Sequence, residues 1–99
     1  MSTDTINTVS IAPGEVDSRE VIRRYLCTVA RRRTINRRTS SYGWKHRVER
    51  WAEIVYGQHI YISNDEFIEV ALQEGVLGRP CGDSDPNWWF GLAVPEQGS

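Results

Sequence analysis

This sequence predicts a mainly α fold: a three-helix domain closed by a short C-terminal β-hairpin, winged-helix-like at most. Three observations carry that expectation. Apolar residues recur with helical period in three separate stretches, and each stretch opens on a small polar residue suited to capping a helix. A run of period-two alternation long enough for a hairpin strand occurs near the C-terminus, at Trp88, Phe90 and Leu92. At 99 residues the chain has material for one core, because surface dominates volume at this size.

Residues 1–16 mix Ser, Thr, Asn and Asp with the isolated apolar Val9 and Ile11 ahead of Pro13-Gly14. They sustain no period and are expected to form a flexible tail. Residues 95–99 make a second tail, and residues 17–94 make the single folded domain. The first helix is expected to begin at Asp17 as N-cap, with Glu20 completing a capping box. Val21, Ile22, Tyr25, Leu26 and Val29 then share one face, and the helix should fade near residues 31–33.

A second helix is expected to start within residues 39–41 and to bury Trp44, Val48, Trp51, Ala52 and Val55 as one stripe, ending at Gly57. Ser63 with Glu66 is the clearest capping box in the chain, and Ile62 with Phe67 is spaced as a hydrophobic staple. Phe67, Ile68, Ala71 and Leu72 form the apolar stripe of this third helix, and Gly75 ends it. Between helices two and three, Ile60 and Ile62 alternate with His59 and Tyr61 and read as one brief strand. Val76-Leu77 and residues 88–94 read as hairpin strands around a turn-rich loop at 78–87. The resulting order is helix, helix, short strand, helix, hairpin. It departs from a winged helix-turn-helix, in which a short strand follows the first helix.

Composition is that of a globular protein, 39% hydrophobic and 25% charged, with four tryptophans to fill a small core. No apolar run approaches the ~20 residues needed to span a bilayer. The polar N-terminus does not have the pattern of a secretory signal, so a cytoplasmic protein is expected, with Cys27 and Cys81 as reduced thiols. No membrane partner and no cofactor are implied. His46, His59 and the two cysteines lack metal-ligand spacing, so no metal site is expected. No phosphate-cradling glycine loop, nucleophile motif or zinc-protease helix motif is present, and the expectation is a protein that is not an enzyme.

The net charge of −1 conceals a strong asymmetry. Asp4, Glu15 and Asp17 give residues 1–18 a charge of −3; eleven Lys and Arg against Glu20 and Glu49 give residues 19–50 a charge of +9; Arg79 against eight acids leaves residues 51–99 at −7. The centre of the basic region is Arg31, Arg32, Arg33, Arg37 and Arg38, between the first two helices, extended by Lys45, Arg47 and Arg50 on the second. Guanidinium groups offer planar paired donors to phosphate, and each phosphate neutralised releases counterions. Thr34, Asn36, Thr39, Ser40 and Ser41 supply small donors of the kind that meet backbone oxygens. The same run also suits a solvated segment balancing the acidic half of the chain, or an acidic protein surface.

A second candidate surface is the start of the third helix, where Asn64 is flanked by Asp65, Glu66 and Glu69. Carboxylates there would repel phosphate, so this helix reads as a capped core helix with an acidic outer face that suits a protein partner. Trp88 and Trp89 are adjacent, so on a strand one indole should be buried and the other, taken here as Trp89, partly exposed at an interface.

Three segments carry a family resemblance: Ser40-Ser41-Tyr42-Gly43-Trp44-Lys45-His46; Tyr61-Ile62-Ser63-Asn64 with Phe67-Ile68; and Pro86-Asn87-Trp88-Trp89-Phe90. Over residues 40–90 the chain resembles a set of small accessory proteins carried on bacterial mobile elements such as phages and plasmids. The resemblance implies a cytosolic setting and transfers no functional residues. Combined with the basic segment, it leads us to expect binding of nucleic acid, DNA slightly ahead of RNA. The alternative is a protein-directed inhibitor of a host defence complex, of anti-CRISPR or anti-restriction type, whose acidic face imitates nucleic acid. That alternative rests on analogy.

Overall fold

A computed structural model describes residues 16–94. The elements are α1 (Ser18–Leu26), β1 (Arg31–Ser40), α2 (Ser41–Tyr56), α3 (Asn64–Gln73), β2 (Gly78–Pro80) and β3 (Trp88–Leu92). The strands form one antiparallel sheet in the order β1-β3-β2. The expectation of a mainly α domain with an appended hairpin is therefore corrected. This is a mixed α/β domain, and its third strand is the basic segment itself. The tails expected at 1–16 and 95–99 lie outside the described residues apart from Val16, which packs against the core.

Placing a strand after α1 gives the order helix, strand, helix, helix, strand, strand, with residues 57–63 connecting α2 to α3. Residues 59–62 form no strand, yet Ile60 and Ile62 are buried as their alternation predicted. The first hairpin strand lies two residues beyond its expected position, at Gly78–Pro80.

Local chemistry sets the helix ends. Asp17 accepts from the Arg19 amide at 3.0 Å, while the Glu20 carboxylate, expected to close a capping box, turns instead to Arg23 and Arg24. Those two guanidinium groups hold the Glu20 carboxyl below its ordinary value. Ser63 accepts from the Glu66 amide at 3.0 Å, and the staple residues Ile62 and Phe67 are both fully buried. Gly57 and Gly75 carry the left-handed φ that ends α2 and α3 at low steric cost.

The core is built from α1 (Val21, Ile22, Tyr25, Leu26), α2 (Trp44, Val48, Ala52), α3 (Phe67, Ile68, Val70, Ala71) and β3 (Phe90, Leu92). Phe67 meets Phe90 edge-on at 5.5 Å, which ties the helices to the sheet. Trp88, Phe90 and Leu92 face the helices in alternation as expected, but both adjacent indoles are half-buried, with Trp88 packed against the core. The stripe on α2 differs from its expected form. Val55 is 53% exposed and Trp51 only half-buried, because the line Trp44, Val48, Ala52 runs at four-residue spacing and leaves the last turn outside. Leu72 is likewise exposed, and Val70 fills the core in its place.

These positions set the expected stabilities. Trp44→Ala and Phe67→Ala should each cost about 3–5 kcal/mol, a large part of what a domain this small possesses, and Trp51→Ala distinctly less. Chemical denaturation of the three variants checks the ranking.

Candidate nucleic-acid interface

The basic strand is irregular in a way that presents its arginines. Arg31 pairs with Leu92, Asn36 with Phe90 and Ser40 with Trp89. Between the first two pairs β1 advances five residues against two on β3, and between the next two it advances four against one. The surplus bulges out of the ladder. Arg32 and Arg33 lie in the first irregularity, Arg37 and Arg38 in the second, and all four are exposed.

Asn36, between the two irregularities, is buried. Its Nδ2 donates to the Leu92 carbonyl at 2.9 Å and its Oδ1 accepts from the Arg38 amide at 3.0 Å. Gly91 permits the approach from the other side: a Cβ there would lie 2.9 Å from the Arg32 carbonyl oxygen and 3.2 Å from that of Thr34. The sheet order leaves β1 at an edge, so its outer side meets solvent.

Eleven cationic side chains lie between residues 19 and 50, and four have carboxylate partners among the described residues. Arg19 pairs with Glu69, Arg23 and Arg24 with Glu20, and Lys45 with Glu49. Arg31, Arg32, Arg33, Arg37, Arg38, Arg47 and Arg50 make no ion pair among the described residues. Arg31 donates to the Glu74 carbonyl, Arg32 to the Thr34 hydroxyl, and Arg47 lies 5.6 Å from the Trp44 ring centroid.

An open groove of about 410 Å³ runs where β1 meets α2, lined by Arg38, Thr39, Gly43, His46, Arg47 and Arg50. Among the described residues no carboxylate lines it. The four α2 residues are spaced i, i+3, i+4 and i+7, one face of the helix, opposite in character to the core stripe. Arg50 and His46 complete this face. The sequence signal was helical spacing, Arg50 lying three residues after Arg47 and four after His46, and His46 was missed because a lone histidine carries no motif.

Lys45, expected beside Arg47 as a phosphate contact, turns inward. It is 7% exposed, with its ammonium 3.5 Å from Glu49 Oε2 and between the rings of Tyr42 and Tyr61, at 5.3 and 5.1 Å. Glu49 also accepts from the Ile62 amide at 2.9 Å and lies 3.2 Å from His46 Nδ1, so one buried carboxylate ties α2 to the connection before α3.

The acidic candidates fare differently. Glu66 accepts from the Ser18 hydroxyl at 2.6 Å and Glu69 pairs with Arg19, so both face α1, while Asp65 is exposed. Trp89 is half-buried on the sheet face away from the core cluster. Among the described residues no group of three His, Cys, Asp or Glu side chains is placed to hold a metal ion, and no helix is long and apolar enough to cross a membrane. No protein-family model, curated protein or solved structure gives a significant match to the chain.

Two outcomes are expected here. Glu49→Ala strands a buried ammonium and a backbone amide and should destabilise by about 3–5 kcal/mol, whereas replacing the pair together (Lys45→Met with Glu49→Leu) should recover part of that in thermal denaturation. Cys81 and Cys27 are both free, with Cys27 exposed. Partial burial, helped by Asp85, pushes the Cys81 thiol up, so less thiolate is present at neutral pH. Mass spectrometry should find iodoacetamide modifying Cys27 first, with the Cys81 rate still climbing with pH above the ordinary thiol range.

Proposed function

We propose that this chain is a non-enzymatic nucleic-acid-binding protein that grips the phosphate backbone through the bulged arginines of β1 and the outer face of α2. Its setting, on the resemblance drawn from residues 40–90, is that of a cytoplasmic accessory protein of a mobile element. The observation that carries the reading is the groove at the β1–α2 corner. Among the described residues three guanidinium groups line it, no carboxylate does, and four more arginines without ion-pair partners continue along the strand. An intramolecular role for the basic run would place acids against it. The acids that do pair take Arg19, Arg23, Arg24 and Lys45.

The planar guanidinium fork is itself pre-organised for phosphate, and counterion release supplies the driving force. The contacts so built are to backbone and carry no sequence information by themselves. Protein-directed inhibition through Asp65, Glu66, Glu69 and Trp89 has less support, since two of those carboxylates are already engaged by α1.

Titration of labelled oligonucleotides by fluorescence anisotropy should give binding that weakens steeply with salt. Replacing Arg37, Arg38, Arg47 and Arg50 by Gln should leave the fold intact and flatten the salt slope by about 0.7–0.9 for each phosphate that is no longer neutralised. Binding unchanged in the quadruple variant overturns the role of this surface. No binding of any oligonucleotide at low salt transfers the arginines to an acidic protein partner.

A further inference from the structure

Beside the basic groove stands a second feature that phosphate binding does not use. Tyr42, on α2, and Tyr61, in the connection before α3, are 54% and 66% exposed, and the Lys45 ammonium lies over both rings. Tyr42 also meets the His46 ring edge-on, with centroids 4.5 Å apart, and His46 lines the groove. The aromatic pair is therefore continuous with the cationic surface.

Scattered exposed aromatics are ordinary on protein surfaces. This pair is set apart by what fixes it. Lys45 is buried and anchored by Glu49, and Glu49 is itself held by the Ile62 amide, next in the chain to Tyr61. A desolvated cation between two rings attracts both through their quadrupoles. The rings are thus oriented before any ligand arrives, which lowers the ordering cost of binding on them. Neither tyrosine is used to fill the core.

Resting on the reading of the groove as a phosphate site, we infer that the preferred ligand is a single strand, with its backbone along Arg38, Arg47 and Arg50 and unpaired bases stacked on Tyr42 and Tyr61. Ring faces beside a cationic track are the combination that binds single strands with little sequence preference, since every base offers a π-face. Duplex DNA keeps its bases stacked inside and presents phosphates alone to such a surface, so the tyrosines contribute nothing to it. The acidic helix α3 and the exposed Asp83 and Asp85 of the β2–β3 loop also oppose the usual duplex mode, in which the last helix enters the major groove.

The test compares a labelled 12-nucleotide dT strand with a duplex of equal length, on the wild type and on Tyr42→Ala, Tyr61→Ala, Tyr42→Phe and Tyr61→Phe. Circular dichroism and thermal melting establish that each variant is folded. The single strand should bind more tightly than the duplex. Each Ala substitution should weaken single-strand binding by about 5- to 100-fold and leave duplex affinity within twofold, with the Phe variants close to wild type. Because Tyr61→Ala uncovers Lys45, the Phe variants and the Tyr42 series keep the result readable if that protein is unstable. Duplex binding equal to or tighter than single-strand binding, or single-strand binding indifferent to both tyrosines, overturns the stacking inference while the arginine surface stands. Absence of binding to either oligonucleotide at low salt overturns both.

Discussion

Asn36 holds β1 to the sheet between the two irregularities of the strand, where it is paired with Phe90. On a run whose other side chains are mostly arginine, it alone is buried, and its amide spends a donor on Leu92 and an acceptor on the Arg38 amide. The first bond joins the edge strand to β3. The second folds the backbone back on itself, fixing the bulge that follows. An Asn in this role is efficient because a single side chain satisfies two main-chain groups that a bulged ladder would leave unpaired. The direction of Arg37 and Arg38, the closeness of Thr39 to Gly43, and the groove between β1 and α2 all depend on that anchor. Ser41 does similar work one step on, where its buried hydroxyl accepts from the Trp88 amide and joins the start of α2 to β3.

The seven arginines that make no ion pair among the described residues lie on one strand and the helix that follows it, where they repel one another. The structure tolerates this because the charges lie on an edge strand and an outer helix face, where water screens them, while the acids are sorted elsewhere. A purely structural reason for part of the pattern exists. Bulges and positive charge on an edge strand discourage pairing with a second sheet. That reason covers β1 but stops there. Arg47 and Arg50 lie on α2, away from any unpaired ladder, and still converge with Arg38 on the groove. Edge protection explains arginines on the strand, not a cationic face shared between strand and helix.

Much of the helical framework was legible from local rules: the caps at Asp17 and Ser63, the staple of Ile62 with Phe67, the glycines after α2 and α3. Each is settled by a few neighbouring residues. β1 was not legible, for a reason visible in its composition. Only Ile35 is apolar, no alternation is present, and the one buried side chain is polar. What makes this segment a strand is the free ladder of β3, whose paired residues lie 49 to 61 positions further along the chain, and no local signal reports it. Inward Lys45 failed for a related reason. A lysine among arginines reads as part of their field, and only the tertiary placement of Glu49 and two tyrosines gives it an interior. The misplaced stripe of α2 is a smaller case: Val55 has the right spacing but is 53% exposed, and in the last turn it is Tyr56 that packs against the core.

The Lys45–Glu49 pair also bears on why the two faces of α2 coexist. The helix buries Trp44, Val48 and Ala52 on one side and turns Gly43, His46, Arg47 and Arg50 to the groove on the other. Between them, Glu49 reaches both worlds: it receives Lys45 and the Ile62 amide from the interior and His46 from the groove wall. A buried ion pair is seldom a source of net stability, because desolvation offsets most of its attraction. Its value here lies in position. It orients the connection before α3, holds the two exposed tyrosines about a common cation, and sets one wall of the basic groove. Apolar residues of equal volume would fill the same space and do none of those three things.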